Sequence, residues 1–288
     1  MSTVEQSPPP FVESVVHATD FSSASEPAFA HALAIALLRR ASFTLLHVGK
    51  DAGLDSGGFP AVRKTLERWG LLKPGAAQAD VFAQVGVAVT KVAIDARSPA
   101  LAIASYLDRV PSDLLVVATG ARDGLARWLH GSVAEAAARW SRTMTLFVPV
   151  DAPRGIVALA DGSLTLHNVL IPVDRAPDPS AAIEFARRAA EVAGEDGDKV
   201  KITLLHVGTG APRVRAEDGP RCIFRRVSRA GDPVEEIVKA ADAVAAELIV
   251  MPTEGRTGVF DVLRGSTTER VLRRAPCPLL AVPAGRND

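Results

Sequence analysis

The chain has 288 residues, which is enough for one large domain or two ordinary ones. Hydrophobic residues make up 48% of it, so a packed core can form, and 33 Lys and Arg balance 33 Asp and Glu. A formal net charge of zero gives no overall field that would attract nucleic acid or an anionic membrane. We therefore expect neither a nucleic-acid partner nor a membrane partner.

The N-terminal end and the cysteines bear on the compartment. Residues 1–11 are rich in Ser and Pro, and we expect them to form a disordered tail. They lack the apolar segment of a signal peptide, and the longest apolar run, 30–38, is too short to span a bilayer. Cys222 and Cys277 do not form a CxxC pair, which favours a reducing compartment. The sequence predicts a cytoplasmic protein without disulfides.

Residues 12–150 alternate short runs of Val, Leu and Ile with longer amphipathic runs. Continuous apolar strands separated by helices are typical of a parallel sheet that is covered on both faces. We predict strands near 12–19, 42–49, 84–94, 113–118 and 143–148, and helices near 24–40, 59–70, 98–109 and 132–142. This is the pattern of one α/β domain.

Residues 151–167 are predicted to be the linker between two domains. The stretch IVALADGSLTLH (156–167) places two strand-like runs around Asp161-Gly162. Asp-Gly between such runs is a signal for a two-residue β-hairpin turn. We therefore expect an ordered β-hairpin linker and not a flexible tether.

Residues 168–288 repeat the alternation of the first domain. We predict strands near 168–174, 199–207, 221–228, 247–252 and 278–283, and helices near 178–193, 233–245 and 266–274. Only about 14 residues separate the second strand from the third, so the counterpart of helix 59–70 is expected to be missing.

Short motifs recur in the same order in the two domains. TLLHVG occurs at 44–49 and again at 203–208, and HGSVAE (130–135) returns as RGSTTE (264–269). A unit of about 140 residues has therefore been duplicated. His47 and His206 are equivalent in this repeat, and we interpret them as structural residues at strand ends.

The stretch MPTEGRTGVFDVLRGSTTERV (251–271) joins a predicted strand to a predicted helix. Ligands of open parallel sheets bind outside the carboxyl ends of the strands. Gly255 and Gly265 lack a Cβ, so backbone N–H groups can approach an anion there. Ser266 or Thr267 can cap the next helix, whose N-terminus attracts negative charge. An ordinary turn followed by an ordinary cap explains the same residues, so spacing alone leaves both interpretations open.

This loop resembles the nucleotide motif of the universal stress protein family, G-x2-G-x9-G-[ST], of which Gly255, Gly265 and Ser266 match the last three elements. The tail TERVLRRAPCPLLAV (268–282), the Asp at 174 and the LHV at 205–207 are also similar to that family. The resemblance implies an α/β fold class. Specifically, it implies two tandem five-stranded parallel-sheet units of the adenine nucleotide alpha hydrolase-like, Rossmann-like fold.

The resemblance also implies a ligand, ATP, with or without Mg²⁺. By position in the family motif, the nucleotide-binding residues would be Asp174 and Val207 at the base, and Gly255, Gly265, Ser266 and Thr267 at the phosphates. A weaker site in the first domain would consist of Asp20, Val48, Gly131 and Ser132.

The sequence departs from the family pattern at three glycine positions. Pro252 stands where the family has its first glycine, and proline has no N–H and a fixed φ. Ala118 and Ala121 occupy the two corresponding positions of the first domain, and Glu254 would oppose a phosphate. These departures favour an alternative function, a scaffold or interaction protein that binds no nucleotide.

The favoured prediction is a nucleotide-responsive regulator of the stress response that binds ATP mainly in its second domain. We do not expect an enzyme or a metal site, because there is no Walker lysine and no histidine has metal-type spacing. The final strands, 143–148 and 278–283, resemble the segments through which single-domain family members dimerise. We therefore expect an intrachain pseudo-dimer, and a homodimer of whole chains stays open.

Overall fold

The computed structural model describes residues 11–49, 59–120, 143–193, 198–254 and 267–284. The strands are β1 (Ser14–Thr19), β2 (Ser42–Gly49), β3 (Val89–Asp95), β4 (Leu114–Thr119), β5 (Met144–Pro149), β6 (Asn168–Pro172), β7 (Val200–Val207), β8 (Cys222–Arg229), β9 (Leu248–Thr253) and β10 (Leu279–Pro283). The helices are α1 (Glu26–Arg39), α2 (Val62–Arg68), α3 (Gln78–Val85), α4 (Pro99–Arg109), α5 (Ser180–Ala193), α6 (Pro233–Ala243) and α7 (Thr267–Leu272).

The strands form one sheet in the order β3-β2-β1-β4-β5-β10-β9-β6-β7-β8. Neighbouring strands within each domain are parallel, which confirms the predicted α/β class with two five-stranded units. β5 and β10 pair antiparallel and join the two units into a continuous sheet. The strand order is equivalent from either end, so an approximate two-fold axis passes between β5 and β10. This is the contact expected from the final strands of the two domains.

Helices cover both faces of the sheet. One hydrophobic cluster includes Leu33 of α1 and Ala186 of α5, and the other includes Ile103 of α4 and Ile237 of α6. Successive strand residues alternate between the clusters because side chains of a strand point to opposite faces in turn. Strands buried on both sides need continuous apolar runs, and this requirement is the physical basis of the pattern read from the sequence.

Phe11, assigned by sequence to the disordered tail, instead packs between the two domains. Its ring lies 5.0 Å from the Arg39 guanidinium of α1 and 4.8 Å from that of Arg188 on α5. It also makes an edge-to-face contact with Phe185, with ring centroids 5.3 Å apart. A ring placed between two cations gains cation–π attraction from both, which explains why the chain is ordered here. Residues 1–10 lie outside the described part of the chain.

The linker contains a β-bridge between Val157 and Leu164. Its turn, 159–162, has four residues and not the two that Asp-Gly suggested, because the Ala158 N–H donates to the Ser163 carbonyl at 2.9 Å. Trp69 explains the difference: its indole N–H donates to the Leu159 carbonyl at 3.1 Å. Gly162 has φ +72°, and a Cβ there would lie 2.4 Å from the indole ring, so only glycine fits.

The linker is also bonded to the second domain. Arg154 donates from Nε to the Ala246 carbonyl at 3.0 Å and forms a 2.7 Å ion pair with Asp242 of α6. The linker is therefore held by Trp69 on one side and by the C-terminal end of α6 on the other.

One predicted boundary needs correction. The predicted strand 84–94 is wrong at its start, because helix α3 continues to Val85 and β3 begins at Val89. Gly86, with φ +71°, ends α3 and donates its N–H to the Phe82 carbonyl at 2.9 Å. The predicted helix 132–142 lies outside the described residues. Residues 208–221 contain no helix, which confirms the missing counterpart of α2 in the second domain.

Candidate functional site

The second domain brings three of its predicted ligand residues to one edge of the sheet. Asp174 follows β6, Val207 ends β7, and Thr267 begins α7 after the loop that follows β9. β6 pairs with β7 on one side and with β9 on the other, so the direction of the strand order reverses at β6. Open α/β sheets bind ligands at such a switch point, outside the carboxyl ends of the strands.

Asp174 and Asp20 are equivalent residues in different states. The Asp174 side chain is 64% exposed and lies 4.0 Å from the Nδ1 atom of His206. Its Oδ1 atom accepts the Arg175 N–H at 2.8 Å. Asp20 instead accepts both the N–H and the hydroxyl of Ser22, at 3.0 and 2.6 Å. The Asp20 carboxylate is therefore engaged in its own turn, whereas Asp174 faces solvent.

The two equivalent histidines support the ends of the first strands. The Nδ1 atom of His206 lies 3.2 Å from the Val173 carbonyl, and that of His47 lies 2.8 Å from the Thr19 carbonyl. A Cβ on Gly208 would lie 3.6 Å from His206 Nε2, and one on Gly49 would lie 2.9 Å from His47 Nε2. Each imidazole thus contacts the carbonyl at the end of the neighbouring strand and lies beside a glycine, a placement that suits a structural role.

The residue after each aspartate gives the two corners different chemistry. Phe21 stacks on His47 with ring centroids 3.8 Å apart, and it meets Phe59 edge-to-face at 5.0 Å. Arg175 takes the place of Phe21 in the second domain, with its Nη2 atom 3.1 Å from the Cβ position of Gly210. The first corner is filled by aromatic rings, whereas the second presents a guanidinium group.

Pro252 lies inside strand β9, where it is buried, and not in the loop. The Ile249 N–H donates to the Pro278 carbonyl, and the Thr253 carbonyl accepts from the Ala284 N–H. The odd-numbered residues of β9 therefore form their backbone hydrogen bonds on the side of β10. Strand alternation therefore turns the nitrogen of Pro252 towards β6. The β6–β9 ladder ends at Leu170 and Ile249, so Pro252 lies beyond the last paired residues, where its nitrogen has no hydrogen to donate to β6.

A second proline stands on the facing strand. The Val173 N–H donates to Leu205 of β7, so alternation turns the nitrogen of Pro172 towards β9. In the first domain the corresponding residues are Ala18 and Ala118, and the β1–β4 ladder runs on to Ala18 and Val117. Two prolines thus shorten the pairing at the second switch point, because neither can donate to the opposite strand.

An ion-pair cluster that the sequence analysis missed joins the start of α6 to α7. Asp232 caps α6 by accepting the N–H groups of Val234 and Glu235 at 3.0 and 3.1 Å. Its other oxygen lies 3.4 Å from Arg270, and both carboxylate oxygens of Glu235 accept from Arg274. The Glu235 N–H is the main cause that lowers the Asp232 pKa, and the Arg274 hydrogen bond lowers the pKa of Glu235. The Asp-Pro pair at 232–233 was the available sequence signal for the cap.

The other predicted site residues fall into two groups. Val207 is half-buried and Thr267 is exposed, whereas Val48 is buried in the core and can offer only its backbone. The remaining predicted residues, Gly131, Ser132, Gly255, Gly265 and Ser266, lie outside the described residues.

The described residues contain no group of three or more His, Cys, Asp or Glu side chains that could hold a metal ion. Among the described helices, none is long and apolar enough to cross a membrane. Burial raises the pKa of Cys277 to about 12 and also raises that of Cys222, so both thiols stay protonated near neutral pH.

Known proteins resemble this chain over both domains. The model of the universal stress protein family matches residues 12–149 and 211–283. A universal stress protein of Methanocaldococcus jannaschii is 50% identical over 58 residues, which are 20% of this chain and only 34% of that relative. One of Thermus aquaticus is 30% identical over 135 residues, 46% of this chain and 90% of the relative.

The fold has a solved counterpart of the same extent. A universal stress protein from Archaeoglobus fulgidus aligns with 96% of this chain and 99% of its own, with a TM-score of 0.60 at 19% identity. That likeness concerns the fold alone. The family match covers most of both parallel units, and on that ground the chain belongs to the universal stress protein family.

Proposed function

We propose that this protein is a nucleotide-responsive regulator of the stress response, and that it binds ATP, with or without Mg²⁺, mainly in its second domain. The observation that carries the proposal is the shortened ladder between β6 and β9. It leaves the strands unpaired beside Pro172 and Pro252, at the edge that also presents Asp174 and Thr267. The switch point of an open α/β sheet, outside the carboxyl ends of its strands, is where such sheets accept a ligand.

The chemistry of this edge suits the two ends of a nucleotide. The exposed carboxylate of Asp174 can accept hydrogen bonds from ribose hydroxyls or an exocyclic amino group. Gly208 and Gly210, with φ +132° and +74°, let a planar group approach the backbone after β7 closely. At the phosphate end, Thr267 offers a hydroxyl, and the sequence keeps Gly255, Gly265 and Ser266.

The first domain fits the role of a scaffold. Asp20 is bonded to Ser22, Val48 is buried, and alanines replace the two glycines at 118 and 121. What this domain contributes is β5, which completes the common sheet with β10. We infer one principal nucleotide site per chain.

An alternative function is a scaffold or interaction protein of the same fold that binds no nucleotide. Pro252 favours it, since proline cannot donate a backbone hydrogen bond to a phosphate.

Under either function we propose a binding protein and not an enzyme. Two free buried cysteines support a reducing compartment, for which we propose the cytoplasm. We also propose that whole chains associate into a homodimer.

Calorimetric titration of the full chain with ATP and Mg²⁺ tests the proposal. Gly265→Val should abolish binding without changing the circular dichroism spectrum or the melting temperature, because only the backbone approach of the phosphates is blocked. Gly131→Val is the matched control in the first domain and should keep the affinity. If the wild-type chain binds no ATP at millimolar concentration, the scaffold function replaces this one.

A further inference from the structure

Two arginines, Arg270 of α7 and Arg274 of the turn that follows it, dock this segment on the first turn of α6. Arg274 and Glu235 form two parallel hydrogen bonds, one of them 3.0 Å long, in the fork geometry that is the strongest for such pairs. One turn earlier, Arg270 reaches Asp232 at 3.4 Å. These residues lie 38 and 39 positions apart, so the pairs are tertiary contacts and not local helix pairs.

The receiving carboxylates belong to a rigid part of the second domain. Asp232 is itself fixed as the cap of α6 by two backbone N–H groups. Glu236 of the same turn bonds Arg229, at the end of β8, at 3.4 Å. The start of α6 is therefore tied to the sheet edge, and whatever binds Asp232 and Glu235 takes its position from that edge.

The first domain lacks this arrangement at all four positions. Alignment of the repeats places Ser98 and Leu101 opposite Asp232 and Glu235, and Ala136 and Trp140 opposite Arg270 and Arg274. None of these four residues of the first domain is charged, so these two pairs have no equivalent there. The pairs belong to the domain whose sequence has also kept its loop glycines, although both domains share the five-stranded parallel sheet.

We propose that Arg270 and Arg274 are positioning residues for the nucleotide site. They hold α7 against α6 so that Thr267, the first residue of α7, stays at the carboxyl edge beside the switch point. The proposal rests on the proposed function and adds to it the means by which the phosphate end of the site is kept in place.

The physical need for such positioning follows from the length of α7. A helix of six residues is not stable by itself, because nucleation costs more than so few hydrogen bonds return. Val271 and Leu272 are buried and anchor the middle of α7 to the core. The two ion pairs add directional contacts with α6, which restrict the rotation and tilt of the helix. Loss of the pairs should therefore misplace Thr267 without unfolding the domain.

The test compares Arg274→Ala and the double variant Arg270→Ala/Arg274→Ala with the wild-type chain. Partly exposed pairs contribute little each, so we expect ATP affinity to fall about 3-fold for the single variant and about 10-fold for the double variant. Hydrogen exchange of the α7 amides without ligand should become faster in both. Arg187→Ala is the control, because Arg187 makes a comparable exposed pair with Glu184 on α5 at 2.7 Å, and it should change neither quantity.

A charge-swapped variant, Glu235→Arg/Arg274→Glu, separates positioning from direct contact of Arg274 with phosphate. Restored affinity and restored α7 protection support positioning, whereas lost affinity with restored protection overturns it. Faster exchange with unchanged affinity in the alanine variants also overturns it, because the pairs would then be only structural. If the wild-type chain binds no ATP, the proposed function is refuted. If the wild-type chain binds ATP and the alanine variants bind it equally well, only this inference is refuted.

Discussion

The switch points of the two domains share one backbone plan and differ in how far their central strands stay paired. β1 and β4 pair over four residues each, with Ala18 and Ala118 near the carboxyl end. β6 and β9 pair over two, with Pro172 and Pro252 in the equivalent places. The prolines lack the amide hydrogen that the alanines carry, so neither proline can donate a hydrogen bond across this pair of strands. The proline that replaces a glycine of the family motif therefore also stands where the pairing of β6 with β9 has ended.

The loops beside the switch points diverge in the same direction. Phe21 and Phe59 fill the first corner around His47, whereas Arg175 and two glycines leave the second corner polar. Ion pairs hold α7 in the second domain, and the first has no charges for them. The two domains therefore share their backbone arrangement and differ in the side chains that a ligand would contact.

The largest loss of stability is expected at Trp69, through which the first domain contacts the linker. The second domain has no equivalent contact because it lacks a counterpart of α2. Trp69 is 7% exposed, so Trp69→Ala should lower the free energy of unfolding. Large-to-small changes at buried aromatic residues cost about 3–5 kcal/mol. Urea denaturation measures the loss. Trp69→Phe keeps a ring over Gly162 and should cost much less, and equal losses for both variants would show that the ring does not hold the linker.

The next effect concerns His17, whose equivalent in the second domain is Ile171. Burial lowers the pKa of His17 to about 4, against the partly compensating hydrogen bond to Val116 and the charge of Asp20. Because the unfolded histidine titrates near 6.5, the unfolded state binds more protons between these values, so stability falls as pH drops through this window. The shift corresponds to about 3 kcal/mol.

His17→Ile should remove this share of the pH dependence, as measured by denaturant titrations at several pH values. A smaller dependence should remain, because burial also lowers the pKa of His31. His31→Gln is the companion variant that should remove the remainder. An unchanged pH profile in His17→Ile would mean that the imidazole is already charged in the folded protein.

The smallest effect on stability is expected from Pro172→Ala/Pro252→Ala, which gives β6 and β9 the residues of β1 and β4. Each restored N–H can add a ladder hydrogen bond, worth about 1 kcal/mol net, and the greater freedom of the unfolded chain offsets about half of that. Amide exchange should show protected N–H groups at both positions, and ATP affinity should fall as β6 and β9 pair further. Protection with unchanged affinity would show that the length of this ladder does not affect the nucleotide site.

Much of the fold was predictable because buried strands are recognisable in the sequence as local runs of apolar residues. Strands covered on both faces need uninterrupted apolar runs, and the repeated motifs fixed the order of elements in both domains. The start of β3 was missed because Val85 suits either a helix or a strand, and only the turn at Gly86 decides between them. Asp174 could be placed at the carboxyl edge because it follows a strand directly, whereas Asp232, Arg270 and Arg274 carried no local sign of their pairing.

From its residues alone the chain could be assigned the duplicated α/β plan, the missing helix of the second domain and the position of Asp174 after a strand. Whether a residue such as Asp174 or Asp20 is available to a ligand depends on tertiary contacts. Pro252 shows the reason. The effect of its missing N–H on the sheet depends on which neighbouring strand its nitrogen faces, and on where the pairing with that neighbour ends. Such facts arise from partners far apart in the chain, and local propensity carries no information about them.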